Sequence, residues 1–429
     1  MDKVATILPV SRFSGKAYSD NLLFCEERIF RALLPNPPLG VFFHWLGGLA
    51  SGSFYVPYRG VKGWAWETYW LVGGFFSWII MPWSMALLIT KDLFGVLREA
   101  PANSLFWSFL FGLLWGLGGL TFGLTMRYLG MSLGMAIALG YTAAFGTLMP
   151  PLFRGEFSTV VLGTSSGLIV LFGIAVCLMG IALAGAAGAS KEKEMSEEQK
   201  RASIKEFNLK RGLIVATFSG IMSACFAYGL AAGDPIKRIT MEHGTSSIWQ
   251  GLPVLVVVLT GGFTTNFIWC VILNIRNRTG YQYFDSKLRG PVPVRERELI
   301  IEPATDAPGE EIAAALPSST HSLTHAPMLP NYLFSALAGT TWYMQFFFYT
   351  MGETQMGRYK FSSWTLHMAS IIIFSTLWGI GLKEWNGTGP RTKWLVTASL
   401  IVLVASTMIV GYGNYREVAD SSAKTAAVR

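Results

Sequence analysis

The chain has 429 residues, of which 52% are hydrophobic, 14% aromatic and only 14% charged, where soluble domains carry roughly 25% charged residues. With a mean hydropathy of +0.41, this profile excludes a disordered chain, a collagen-like repeat, a disulfide-rich secreted module and an ordinary cytosolic enzyme, and makes lipid the solvent for most of the sequence. The 34 Lys and Arg against 26 Asp and Glu leave a net charge of +8, but the basic residues lie between apolar runs, where they face anionic headgroups and not nucleic acid.

Residues 1–38 form an arm with no continuous apolar run, so no cleavable signal peptide is apparent. Within it, Leu22, Cys25, Ile29, Phe30 and Leu33 share one helical face, Asp20 is placed to cap and Pro35, Pro37 and Pro38 to stop, which predicts an amphipathic helix over Tyr18–Leu34 lying along the interface.

Ten segments then follow that can each cross about 30 Å of hydrocarbon with about 20 mostly apolar residues, near 39–58, 68–90, 104–126, 131–151, 159–184, 211–232, 247–275, 330–351, 362–382 and 394–412. None alternates as barrel strands do, so the expected fold is an all-α integral membrane protein with ten transmembrane helices. The charged run from Lys191 to Arg201, in a linker over 189–210, divides them into one unit over 39–188 and another over 211–412. A proline-rich stretch over 279–329 without sustained periodicity predicts a flexible loop, and 413–429 a C-terminal tail.

The two halves carry a weak repeat. Gly48, Ser51 and Phe54 recur with the same spacing as Gly220, Ser223 and Phe226, Gly73-Gly74-Phe75 answers Gly261-Gly262-Phe263, and Trp115 and Gly130 answer Trp342 and Gly357. Thr147-Leu148 with Arg154 matches Thr376-Leu377 with Lys383. An odd number of spans per repeat inserts the halves with opposite orientation, the plan of secondary transporters with a site between the halves at the midplane. A purely structural bundle is the bland alternative.

Charge is costly in hydrocarbon, so each ionisable residue in a span is a site candidate. His44 lies in the first span and His367 in the ninth, Glu67 starts the second, Arg127 ends the third and Glu353 follows the eighth. His44, Glu67 and His367 are candidates for carrying a proton, with structural hydrogen bonding as the competing reading for the histidines. Arg127 and Glu353 are candidate gating or structural charges, with snorkelling to headgroups as the alternative for both and for Glu67. In the eighth span, Thr341, Gln345 and Phe348 share one face and Trp342, Phe346 and Tyr349 the next. An amide among indole and phenol rings suits a sugar, with rings against C–H faces and polar groups on hydroxyls. The competing reading is an aromatic belt at the interface.

Cys25, Cys177, Cys225 and Cys270 show no CxxC or metal-ligand spacing, so no disulfide framework, zinc site or other metal is expected. The chain has no phosphate-binding G-x-x-x-x-G-K-[ST] loop and no H-E-x-x-H, so it reads as no enzyme and no ATP-driven pump. Transport would draw on an ion gradient and need no cofactor.

The stretches Phe54-Tyr-Val-Pro-Tyr58, Trp66-Glu-Thr68, Ser77-Trp-Ile-Ile80, Gly123-Leu-Thr-Met-Arg-Tyr-Leu-Gly-Met-Ser132, Gln345-Phe-Phe-Phe-Tyr349, Leu366-His-Met368 and Leu382-Lys-Glu-Trp-Asn386 resemble the L-rhamnose/proton symporter family of the drug/metabolite transporter superfamily. The resemblance runs from Val41 to Asn414 and takes in His44, Glu67, Arg127, Gln345 and His367. It implies a multi-pass protein of the bacterial inner membrane that imports L-rhamnose with a proton. The chain departs from the family pattern in its N-terminal arm, its long seventh-to-eighth loop and its sixth and seventh spans, as at Ala231-Ala-Gly-Asp-Pro235.

The expected function is therefore proton-coupled uptake of L-rhamnose or a related deoxy sugar by alternating access, with Trp115, Trp342, Gln345 and Tyr349 holding the sugar. Its partners are the sugar, protons and the lipid bilayer, and no nucleic acid. An exporter or exchanger of another small metabolite is one rival. A non-transporting membrane sensor, contacting a partner through the arm or the 279–329 loop, is the other.

Overall fold

The computed structural model describes residues 35–129, 131–194, 208–288 and 325–428, without the side chains of 126, 127, 131–133 and 424–428. The expected arm helix at Tyr18–Leu34, most of the charged linker and residues 289–324 of the long loop lie outside the described residues.

The elements in order are α1 (Pro37–Ser53), α2 (Trp66–Ile89), α3 (Leu93–Glu99), α4 (Ala102–Leu129), α5 (Met131–Phe153), α6 (Ser165–Glu194), α7 (Leu209–Ala232), α8 (Asp234–Glu242), α9 (Leu252–Asn277), α10 (Met328–Thr354), α11 (Ser363–Gly381) and α12 (Pro390–Val428). Among the described residues there is no sheet, only an isolated bridge between Lys287 and His325. Local chemistry sets several boundaries. The Asn36 side chain accepts from the Leu39 N–H at 3.2 Å just before Pro37 and Pro38, and Asn208 accepts from Arg211 N–H at 3.0 Å. Pro235 sits in the first turn of α8, a polar, amphipathic helix that follows the apolar α7.

Among the described residues, eight helices are long and apolar enough to cross a membrane: α2, α4, α5, α6, α7 running on into α8, α9, α11 and α12. The other two expected spans are also helices. α1 has 17 residues, and in α10 the residues Thr340, Thr341, Tyr343 and Gln345 lower the hydropathy. α12 continues through the expected tail, where 413–428 holds no proline. At the start of the long loop, Gln282 Oε1 accepts from the Ala65 N–H at 2.7 Å and the Thr68 hydroxyl at 2.9 Å, closing the N-terminal turn of α2.

The helices pack in a pattern of exchange. α1 lies against α10 and α11, and α7 against α4 and α5; α2 touches α10 while α9 touches α4, and α6 pairs with α12. Glycines permit the closest crossings, since without a hydrophobic drive between helices in lipid, close backbone packing does the joining. A Cβ on Gly339 of α10 would overlap the Gly73 carbonyl of α2, and one on Gly261 of α9 would overlap the Phe109 carbonyl of α4 and lie 3.1 Å from the Gly112 carbonyl carbon. A Cβ on Gly48 would likewise overlap Ser370 of α11, and one on Gly220 would overlap Tyr141 of α5.

Candidate functional site

The seams of α1, α4, α7 and α10 bring rings together at the centre. Trp342 on α10 stacks on Phe54, just past the end of α1, with centroids 4.7 Å apart, and meets Trp70 and Trp78 of α2 at 5.1 and 4.9 Å. Trp115 on α4 packs against Phe226 of α7 at 5.1 Å and Phe346 of α10 at 5.4 Å. Phe226 and Phe346 lie 4.8 Å apart and join these rings to Tyr349, 6.3 Å from Phe226. Trp342, Phe346 and Tyr349 come from one stripe of α10, at helical spacing. Gln345, also on α10, is buried.

Tyr349 sits between the two histidines. Its ring is 5.3 Å from His44 of α1 and 5.2 Å from His367 of α11, both at steep angles. Both imidazoles are buried; neither nitrogen of His44, nor Nδ1 of His367, has a hydrogen-bond partner among the described residues. Small residues make the room. A Cβ on Gly352 would lie 2.8 Å from His44 Nε2, and one on Gly47 would lie 3.5 Å from His367 Nδ1. Two buried imidazoles with unpartnered nitrogens, beside a ring wall, form a place where a proton and a polar ligand can exchange hydrogen bonds.

Glu67 belongs to a different group. Its buried carboxylate accepts from the Thr279 hydroxyl and from the Asn277 amide at 3.3 Å, where α2 begins and α9 ends. The structure thus separates Glu67 from the two histidines, and holds it with neutral donors of the second half. Trp70, one turn further along α2, connects this end with the ring cluster and donates its indole N–H to Asn266 Oδ1 at 3.3 Å.

Glu353 lies at the opposite end. Its carboxylate pairs with Lys237 of α8 at 2.9 Å, Lys237 also pairs with Asp234 at 3.2 Å, and Asp234 takes Arg154, just past the end of α5, and Lys360 at 2.8 Å each. This network ties the end of α5, in the first half, to α8 and α10 in the second. Beside it, His243 bridges Glu99 at 3.1 Å and Asp92 at 3.2 Å. The hydrogen bond to Glu99 raises the pKa of His243 above its usual value, partial burial opposes this, and the two carboxylate charges add to the rise. Arg127 is on α4, and its side chain lies outside the described ones.

Sequence reasoning missed Trp70, Trp78 and Trp364 as part of one cluster. Each is an ordinary aromatic in an apolar run, and only the crossing of α2, α4, α10 and α11 puts them together. A groove of 540 Å³ between α1 and α12, lined by Val41, Phe42, Trp45, Met408 and Tyr412, is apolar and holds none of the expected site residues. Among the described residues no cluster of His, Cys, Asp and Glu is arranged to hold a metal ion.

The chain matches a family model described as L-rhamnose-proton symport protein (RhaT) over residues 36–283 and 315–415. It is similar to the L-rhamnose-proton symporter of Shigella sonnei (strain Ss046), 35% identical over 376 residues that cover 87% of this chain and 97% of that one. The L-rhamnose-proton symporters of Klebsiella pneumoniae (strain 342) and Escherichia coli (strain 55989 / EAEC) are each 34% identical with the same coverage.

Proposed function

The chain belongs to the L-rhamnose-proton symport family, and from this premise we propose that it takes up L-rhamnose together with a proton across the inner membrane. Ten helices, α1 and α10 among them, act as two inverted five-helix halves that expose one central site to each side in turn. The exchange of packing partners supports the repeat. The spacing that relates Trp115 to Trp342 also relates Gly112 to Gly339, so the Gly73 crossing with Gly339 has its counterpart in the Gly261 crossing beside Gly112. Phe54 on Trp342 and Phe226 on Trp115 are a second matched pair.

The single observation that carries the mechanism is Tyr349 held between two buried histidines with unpartnered ring nitrogens, next to the ring wall. Trp115 and Trp342 offer faces to the sugar's C–H bonds, and Gln345 and Tyr349 offer polar groups to its hydroxyls. His44 or His367 takes up the proton, and Glu67 is a third candidate, at the other end of α2. A neutral sugar leaves these groups free for the proton. The pairs of Glu353, Lys237, Asp234 and Arg154 close one end of the path, and Arg127 is a further candidate gating charge. Because moving one charge through 100 mV supplies about 2.3 kcal/mol, the proton gradient can drive accumulation without any cofactor.

Alkalinisation of the medium when L-rhamnose is added to proteoliposomes tests this reading. Rhamnose-dependent proton movement is expected. If another solute moves protons and rhamnose does not, the substrate assignment fails.

A further inference from the structure

We propose that Trp78 is a further sugar-binding residue, whose indole N–H donates a hydrogen bond to one hydroxyl of the bound deoxy sugar; this rests on the functional reading above. The Trp78 side chain is 1% exposed, and its N–H has no acceptor among the described residues. A buried donor left unpaired is costly, and the cost is accepted where the partner arrives with a ligand. Elsewhere this fold does satisfy indoles in the same cluster: Trp70 donates to Asn266 and Trp364 donates to the Thr142 carbonyl at 2.9 Å. Trp45, Trp64 and Trp385 also lack acceptors, but none of them touches the central rings.

The surroundings of Trp78 are those of a sugar site. Its ring meets Trp342 at 4.9 Å, Trp115 at 6.1 Å, Trp70 at 6.3 Å and Phe263 at 6.5 Å, so it joins α2 to α4, α9 and α10. Two of those rings, Trp115 and Trp342, are the faces already assigned to the sugar. An N–H amid such faces supplies the direction that flat rings lack, because ring contacts alone do not distinguish one hydroxyl pattern from another.

The backbone is built to seat this ring. α2 widens into a π-helical turn over Phe76–Ile80, a departure from regular geometry that recurs at functional sites. One turn earlier, a Cβ on Gly74 would lie 2.7 Å from the Trp78 ring, so only glycine leaves the indole its place. The repeat counterpart of Gly74 is Gly262, where a Cβ would lie 2.5 Å from the Trp115 ring. Each half thus uses one glycine to seat one tryptophan of the cluster.

The test is calorimetric binding to the purified full-length protein with L-rhamnose and its mono-deoxygenated analogues. It compares wild type, Trp78→Phe and a variant with naphthylalanine at position 78, which keeps the bicyclic volume without the N–H. Both variants are expected to bind L-rhamnose about three- to tenfold more weakly, the loss of one neutral hydrogen bond. For one analogue, the one lacking the hydroxyl that the indole holds, wild type and variants should bind alike. If wild type binds and the naphthylalanine variant matches it for L-rhamnose, or loses the same factor for every analogue, the Trp78 assignment is overturned and the functional reading stands. If wild type binds none of the sugars, the functional reading fails and this assignment with it.

Discussion

Phe54 and Trp342 stack across the seam of α1 and α10 with centroids 4.7 Å apart and planes 8° from parallel. Phe226 of α7 meets Trp115 of α4 at 5.1 Å, with the rings tilted by 59°. The two pairs are therefore not equivalent in ring geometry, and each tests the central wall separately.

Trp342→Phe should keep the fold and weaken L-rhamnose binding several-fold, because a smaller ring still covers Phe54 but offers less face to the sugar. Trp342→Ala should cost about 3–5 kcal/mol of stability, since the side chain is buried. Thermal unfolding in detergent beside binding calorimetry separates the two effects.

His44→Gln and His367→Gln distinguish a proton carrier from a structural histidine. The replacement that removes the carrier should abolish accumulation against a gradient while sparing counterflow, which needs only the sugar-loaded carrier to reorient. Equal loss of both transport modes for a given histidine would assign it to packing around Tyr349.

Gly339→Ala should destabilise the protein by about 1–3 kcal/mol, because the new Cβ overlaps the Gly73 carbonyl where α10 crosses α2. Gly140→Ala on α5 is the opposite case. Nothing lies within 4 Å of a Cβ there, so alanine should raise helix stability by about 0.5–1 kcal/mol. A shift of the two melting temperatures in opposite directions is the expected result.

Lys237→Met should lower stability by about 2 kcal/mol, below the full cost of stripping a buried ion pair because Asp234 keeps Arg154 and Lys360 and its side chain is 28% exposed. Glu353 is the group left without its cation. Reversing the pair with Lys237→Glu and Glu353→Lys together should restore part of the loss that either reversal causes alone. A double-mutant cycle on the melting temperature measures that coupling.

His243 makes a pH-dependent contribution of definite sign. Its folded-state pKa is raised, so the bridge to Glu99 and Asp92 stabilises fully below the unfolded value of about 6.5 and fades as pH climbs through the folded value. His243→Gln should therefore lower the melting temperature at about pH 5.5 and leave it almost unchanged at about pH 8.5. A loss of the same size at both values would mean that the imidazole acts through packing instead of charge.

Length, low charge and apolar runs of about 20 residues were enough to read a helical membrane protein from the sequence, because a bilayer requires every backbone group to be bonded within its own segment. The family was legible for a related reason: Gly123 to Ser132 and Gln345 to Tyr349 are long enough runs to be specific without any fold. His44 and His367 were legible as rare ionisable residues in apolar helices, and Trp342, Gln345 and Tyr349 as a polar-aromatic stripe. The hydropathy of α10 fell short for the same reason that α10 is interesting, since the side chains suited to a sugar are those that lower it.

What only the tertiary structure decided is which of these residues meet. Tyr349 between two histidines, Glu67 apart from both with Thr279 and Asn277, Glu353 on Lys237 and Trp78 amid four other rings all depend on helix crossings between segments far apart in the chain. Sequence periodicity specifies the face of a helix and not the helix it faces. In a membrane that choice falls to small residues such as Gly48, Gly73 and Gly339, whose fit to a neighbour is a matter of shape that no single segment contains.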